Sequence, residues 1–336
     1  MDLQAQLQHK LNTRTKPTGS LGQLEELALQ IGLLQGSTNP VLSKPTLVIF
    51  AGDHGIAREG VSAYPSEVTA RMVNNFVSGG AAASVLCRLH GMDLKVVDAG
   101  VDGDLGDIPG LLRAKVGYGT RNFAVEPAMS AAELDQCLAW GASVSADLAA
   151  DGCNVLALGE MGIGNTSAAS LLMAEWAKVP LEECVGRGTG LDSEGLRRKI
   201  RVLGQAMSLH GPQGDPMELM QTYGGFEMAQ MAGAMMEAGR RNMTLLIDGF
   251  IATAVFAWVL RIKPELKSRA VFSHVGEEQG HRLLLQILDA RPLLDLRLRL
   301  GEGSGAVLAY PILRSAVALL NEMAGFEDAG IPTSLL

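Results

Sequence analysis

Three glycine-framed loops hold the residue types best suited to chemistry in this chain. The first, Gly159-Glu-Met-Gly-Ile-Gly-Asn-Thr-Ser167, follows an apolar run and opens onto the small residues Ala168, Ala169 and Ser170. Backbone N–H groups at such a helix start point at an anion and share the positive end of the helix dipole. Phosphate is the anion that suits this context, although tight turns alone can also demand glycine. The spacing is neither GxGxxG nor GxxxxGK[ST], so dinucleotide and Walker-type binding are not supported. A carboxylate, Glu160, beside an anion site makes sense if it faces a sugar hydroxyl or a cationic ring.

The second loop, Gly186-Arg-Gly-Thr-Gly-Leu-Asp192, is followed by Arg197, Arg198 and Lys199 on an expected helix. Three cations in a row usually form a solvated face, but one of them could close over a phosphate. The third loop, Leu300-Gly-Glu-Gly-Ser-Gly-Ala306, frames Glu302 with glycines. Backbone freedom on both sides would let that carboxylate be aimed into a cleft as a general base. A helix-capping turn with a surface glutamate would look the same.

Asp53 and His54 in AGDHG, and His274, Glu277, Glu278 and His281 in SHVGEEQGH, resemble metal or acid–base sets. Neither has the HExxH spacing that puts two imidazoles on one helical face, and hydrogen bonding that orients a loop is the favoured reading. The four cysteines, Cys87, Cys137, Cys153 and Cys184, form no CxxC pair and read as buried small hydrophobes in a reducing compartment. Met217, Met220, Met228, Met231 and Met235 have helical spacing and read as core. No GxSxG elbow supports a hydrolase triad.

These loops need a scaffold, and the chain alternates short apolar runs with longer helical periodicities. Expected strands are Thr46–Phe50, Lys95–Asp98, Asn154–Leu158, Thr244–Ile247 and Arg269–Phe272, each ending in a glycine-containing polar loop. Ser130 and Glu133 predict a capping box for a helix through Ala149, and Ser20 with Gln23 predicts another for a helix through Leu34. Pro311 to Met323 reads as a terminal helix. Alternating strands and helices predict an α/β fold: a Rossmann-like, mostly parallel sheet with helices on both faces, whose ligands bind outside the carboxyl ends of the strands. The expected division is a large α/β nucleotide-binding domain over 38–292, and a small helical subdomain built from 1–37 and 293–336 that contributes the Glu302 loop.

Composition bounds the function classes. With 28 basic and 36 acidic residues the formal charge is -8, which argues against a nucleic-acid groove. The 47% hydrophobic content rules against disorder. Glycine is enriched, at 40 residues of 336 against a usual share of about 7%. Met1 to Lys10 lacks the order of a secretory signal, and Gly249 to Leu260 is too short for a bilayer span, so no membrane association and a cytoplasmic location are expected.

Nine motifs in order resemble one family across nearly the whole chain. They are KPTGSLGQLE (Lys16 to Glu25), AGDHG (Ala51 to Gly55), EGVSAYPSEVTARM (Glu59 to Met72), GEMGIGNTSAA (Gly159 to Ala169), GRGTGLD, YGGFEMAQMAGAM, IDGF, SHVGEEQGHRLLL and LRLGEGSGA. The family is nicotinate-nucleotide:dimethylbenzimidazole phosphoribosyltransferase, which makes the lower-ligand nucleotide of cobalamin. The resemblance implies transfer of phosphoribose from nicotinate mononucleotide to a benzimidazole nitrogen, with inversion at the anomeric carbon. It implies Glu302 as the base, and Glu160, Gly162, Asn165, Thr166, Gly188 and Lys199 as holders of phosphate and ribose. Tyr64, Met72 and Leu300 are implied as the lining of the base pocket. Ser167 stands where GNTT would carry threonine.

The leaving pyridinium needs no acid and no diphosphate needs neutralising, so neither metal nor cofactor is expected. The resemblance also implies a homodimer, although some relatives work as unlike pairs or attach phenols or purines. Two other readings remain open: a non-catalytic nucleotide-binding partner of a second chain, against which the intact GEGSGA argues, and an NAD-dependent oxidoreductase resting on fold analogy alone.

Overall fold

The computed structural model describes residues 1–188 and 190–331. Thr189, in the GRGTGLD loop, and 332–336, the tail of the expected terminal segment, lie outside the described residues. Six strands form one parallel sheet: β1 (Thr46–Gly52), β2 (Asp93–Gly100), β3 (Leu111–Arg113), β4 (Val155–Met161), β5 (Thr244–Ile247) and β6 (Ala270–Phe272). Their order is β3-β2-β1-β4-β5-β6, so the winding reverses between β1 and β4. All five expected strands are present, while β3 is a three-residue edge strand with only one buried residue, Leu111, and gave no signal in the apolar pattern.

Alternate side chains of each strand point to opposite faces, and helices bury both. Val48, Phe50, Val97, Leu156, Leu158, Leu245 and Ile247 share a core with the helices Ala131–Ala150, Asn165–Ala177, Phe226–Arg240 and Phe250–Ile262. The methionine series belongs here: Met220, Met228, Met231 and Met235 are fully buried and Met217 packs against them. Leu47, Ile49, Val96, Val155, Ala157 and Leu246 face the other way, onto the helices Leu3–Asn12, Gln23–Gln35, Glu67–Val77, Ala82–His90 and Ser304–Glu322. The two chain ends meet on this second face, where Arg14 bridges Gly325, Thr15 N–H donates to Ala324 O and Phe326 N–H donates to Thr13 O.

Three local expectations need correction. The Ser130–Glu133 capping box forms, but the Ser20 box does not. Gly22 is the N-cap of Gln23–Gln35, and Glu25 instead accepts the Leu21 N–H and pairs with buried Lys16 at 2.8 Å. The terminal helix begins at Ser304, seven residues before Pro311, because its N-terminus is capped from outside by a carboxylate on another element. Long and apolar enough to cross a bilayer, that helix is a core element here, burying Val307, Tyr310, Leu313, Ala316 and Leu320 against the sheet. Finally, the part of 293–336 before the Glu302 loop is not helical: Leu294–Leu298 is a strand, β8, paired in parallel with β7 (His274–Gly276).

Helix Ala131–Ala150 lies backbone to backbone on Phe226–Arg240. A Cβ on Gly141 would overlap the Gln230 carbonyl, and one on Gly233 the Leu138 carbonyl. Ser145 Oγ donates to Ala234 O at 2.9 Å across the same seam. Gly141→Ala is therefore expected to cost about 2 kcal/mol or more by overpacking, lowering Tm by several degrees. Gly204→Ala, in a helix with only Leu181 at 4.0 Å, should raise stability by up to about 1 kcal/mol. Thermal denaturation of both variants checks the pair, and equal effects would contradict the packing.

Candidate active site

Four of the six strands deliver polar residues to the face where they end. Asp53 and His54 follow β1, Glu160 lies within β4 near its end, Asp248 follows β5, and Ser273 and His274 follow β6. In a doubly wound sheet the crevice opens at the switch point, here between β1 and β4. A cleft lies on this side, lined among others by Glu160, Gly162, Asn165, Thr166, Gly188, Leu300 and Glu302.

One end of the cleft is the N-terminus of Asn165–Ala177. Its N-cap is Gly164 at φ +101°, which has no side chain to satisfy the first amides, and the first turn carries no acid. Lys199 lies below this end, fully buried, with Nζ donating to Thr166 Oγ1 at 2.8 Å and to Gly186 O at 3.4 Å. Lys199 makes no ion pair among the described residues. Burial lowers its proton affinity, to about 8, against the nearby charge of Glu278. A buried, unneutralised cation beside the N-terminus of a helix suits an anion. Gly188 packs over the pair, since a Cβ there would lie 3.0 Å from Thr166 Oγ1 and 3.6 Å from Lys199 Nζ.

Gly162 of the GEMGIGN loop has a cause that sequence reasoning missed. A Cβ on Gly162 would overlap the Gly52 carbonyl of β1, so close strand packing requires glycine there, besides any exposure of amides to a ligand. Arg197 and Arg198 follow the solvated-face reading: their guanidinium groups donate to Ser193 O and Gly60 O on the surface.

The other end of the cleft is the Glu302 loop. Gly301, Glu302 and Gly303 all adopt positive φ, at +80°, +65° and +79°. The loop presses on β4, and a Cβ on Gly159 would lie 2.6 Å from Glu302 O. Its anchor is Asp248, which the sequence had offered only as part of IDGF. Asp248 Oδ2 accepts Gly303 N–H at 3.1 Å and Oδ1 accepts Ala306 N–H at 2.9 Å. This carboxylate caps the helix Ser304–Glu322 in place of the side chain that Gly303 lacks.

The Glu302 side chain is buried and its Oε2 has no hydrogen-bond partner among the described residues. Burial raises its pKa to about 7 against a hydrogen bond from Ala83 N–H, with Asp248 raising it further. Glu160 is raised to about 8, first by burial and then by Asp248, Glu227 and Glu302, and it accepts a hydrogen bond from Asn165 Nδ2. A carboxyl tuned near neutrality is suited to proton transfer at physiological pH.

Leu300 lies at the cleft mouth, 55% exposed. Tyr64, 53% exposed, and Met72, which packs against the second core, do not line the cleft. Of the remaining candidates, His274 lines the cleft with Nδ1 3.8 Å from Asp248, whereas His281 is occupied by Thr253 Oγ1 and Gly276 N–H. Burial holds His281 near 3, hence neutral.

A buried carboxyl facing a helix N-terminus across the switch point of a doubly wound sheet suits a phosphate-handling α/β enzyme. A phosphoribosyltransferase family model matches residues 1–331, and the chain belongs to that family. It is similar to the nicotinate-nucleotide–dimethylbenzimidazole phosphoribosyltransferase of Ralstonia nicotianae, at 55% identity over 98% of this chain and 94% of that one. The enzyme of the same name from Cupriavidus necator is 51% identical, over 99% and 96%. The crystal structure of CobT from Thermus thermophilus superposes with a TM-score of 0.95 at 43% identity, covering 99% of this chain and all of that one.

The raised carboxyl at Glu160 ties stability to pH. Between the ordinary value of 4.5 and about 8 the folded chain holds a proton that the unfolded chain has released. Its stabilisation is thus complete below 4.5 and is lost as pH rises through 8. Glu160→Gln carries no such proton, so its Tm should fall less than the parent's between about pH 5 and about pH 9. Thermal scans across that range check this, and equal falls would contradict it.

Proposed function

We propose that the chain transfers the phosphoribosyl group of nicotinate mononucleotide to dimethylbenzimidazole, giving α-ribazole phosphate and nicotinate for the lower ligand of cobalamin. The observation that carries the reading is Glu302. It is a buried carboxyl of near-neutral pKa with a free oxygen, in one cleft with an anion-seeking helix terminus.

In this reading the phosphate sits on the amides that open Asn165–Ala177, with Thr166, Gly188 and Lys199. Glu160, fixed by Asn165, faces the ribose hydroxyls. The base enters past Leu300 towards Glu302, and Tyr64 and Met72 reach it only by rearrangement of their segment or from a second copy in a homodimer. The bond between C1′ and the pyridinium nitrogen breaks with both electrons going to nitrogen, so nicotinate leaves without protonation. One ring nitrogen of the benzimidazole attacks C1′ from the opposite face, inverting it. The cation so formed loses its other N–H proton to Glu302. Removing that proton stabilises charge as it develops, and the cleft supplies alignment.

The proposed division of labour follows the chain: 38–292 holds the nucleotide, while 1–37 and 293–336 supply the base. Four free, buried cysteines support a reducing, cytoplasmic setting.

Glu302→Gln should lower kcat by roughly 10²- to 10⁴-fold while leaving nucleotide affinity nearly unchanged. Product analysis by mass and anomeric configuration, beside calorimetric titration, checks both halves. An active Gln variant would remove the assigned role. Glu302 must be ionised, so kcat/KM should rise with pH through about 7. Lys199 must be charged, so it should fall again above about 8. Lys199→Met should remove the fall above about 8 and raise KM for the nucleotide at every pH by roughly tenfold or more.

A further inference from the structure

Beneath the nucleotide loop lies a buried network that the proposed chemistry does not use. Asp53 and His54 leave the end of β1, while Glu227 belongs to the first turn of the helix Phe226–Arg240. His54 Nε2 and Glu227 Oε1 are 2.6 Å apart, and both side chains are completely shielded from solvent. The AGDHG and YGGFE motifs, far apart in sequence, therefore meet as a single hydrogen-bonded pair. A carboxyl in such a place is costly unless it has a partner of good geometry.

What this pair touches gives it a role. A Cβ on Gly164 would lie 3.0 Å from His54 Cβ, and one on Gly162 would lie 3.5 Å from His54 Cδ2. The imidazole thus fills the space directly under the turn that precedes Asn165–Ala177. The peptide of Ile163, between those two glycines, is held at both ends. Its carbonyl accepts His54 N–H at 3.4 Å, and its N–H donates to Thr69 Oγ1 at 3.3 Å. Thr69 in turn donates to Asp53 Oδ1 at 2.6 Å, and Asp53 Oδ2 accepts Asp102 N–H at 2.8 Å. With its carbonyl bound by the β1 turn and its N–H by Thr69 of the helix Glu67–Val77, the Ile163 peptide is fixed, and with it the Gly162–Gly164 turn that leads into Asn165–Ala177. Gly225 completes the enclosure, since a side chain there would overlap both His54 and Glu227.

We propose that His54, locked by Glu227, is a positioning residue for the phosphoribosyl donor: it fixes the Gly162–Gly164 turn and so aims the helix amides and Glu160 at the nucleotide. The inference rests on the assignment of this loop as the nucleotide site. His54 touches no substrate and acts only through the turn it supports.

The test compares His54→Leu, His54→Gln and Glu227→Gln with the parent. Nicotinate mononucleotide affinity is measured by calorimetry, together with KM for each substrate, kcat and Tm. Leucine fills the space but leaves Glu227 unpaired, and the turn should shift. The expected result is a rise in nucleotide Kd and KM of about tenfold or more, with KM for dimethylbenzimidazole changed by less than about twofold. Glutamine, whose amide can still donate to Glu227, should recover most of the affinity.

Should His54→Leu fail to fold, Glu227→Gln carries the same comparison, with an expected loss of nucleotide affinity of about threefold or more. Variants that lose Tm but bind nucleotide like the parent would overturn the proposal, because the network would then serve folding alone. A parent protein that itself fails to bind nicotinate mononucleotide would instead refute the functional assignment, so the two failures are distinguishable.

Discussion

The geometry of the cleft depends on one buried carboxylate. Asp248 ends β5 and accepts the amides of Gly303 and Ala306, tying the last long helix to the carboxyl edge of the sheet. Without it the helix would start with unsatisfied amides inside the protein, since its own N-cap is a glycine. The same bonds fix the turn in which Glu302 adopts a left-handed conformation that costs energy for a residue with a Cβ. The missing Cβ of Gly159 then lets that turn settle on β4. The Glu302 carboxyl is therefore placed by the sheet itself.

Collecting acids at this edge has an electrostatic consequence. Asp53, Glu160, Asp248 and Glu302 are all raised above the ordinary carboxyl range, chiefly by burial. Burial, with repulsion from neighbouring carboxylates added, brings Glu302 to about 7 and Glu160 to about 8, where a carboxyl can both accept and release a proton. Lys199 at the opposite end carries positive charge where the helix dipole does, so the cleft is polarised between a cationic end and an end of buried carboxyls.

Much of this was legible in the chain because it is written locally. Strands flanked by glycine and acid, the Ser130–Glu133 box and the methionine spacing each concern a few adjacent residues, and each appears in the fold. What was hidden depends on distant partners. Ser20 loses its box because the helix starts later, with Gly22 as its N-cap, and Glu25 of its first turn is held by Lys16. The last helix starts before its proline because its cap arrives from β5. β3 and β8 are edge strands with few buried side chains and so carry little apolar pattern. The glycines of the nucleotide loop looked like ligand contacts, yet Gly162 is also required by the carbonyl of Gly52. Glu160, Gly162, Asn165, Thr166, Gly188, Leu300 and Glu302 do converge on one cleft, whereas Tyr64 and Met72, known only through resemblance, stand outside it.

A single crevice that binds the donor's phosphate at one end and presents a proton acceptor at the other is what the proposed reaction needs above all. A crystal structure with nicotinate mononucleotide and a benzimidazole bound in the Glu302→Gln protein addresses it most directly. The phosphate should rest on the amides opening Asn165–Ala177, within hydrogen-bonding distance of Thr166 or Lys199, with a benzimidazole nitrogen beside residue 302. A phosphate bound elsewhere, or a benzimidazole with neither nitrogen near residue 302, would contradict it.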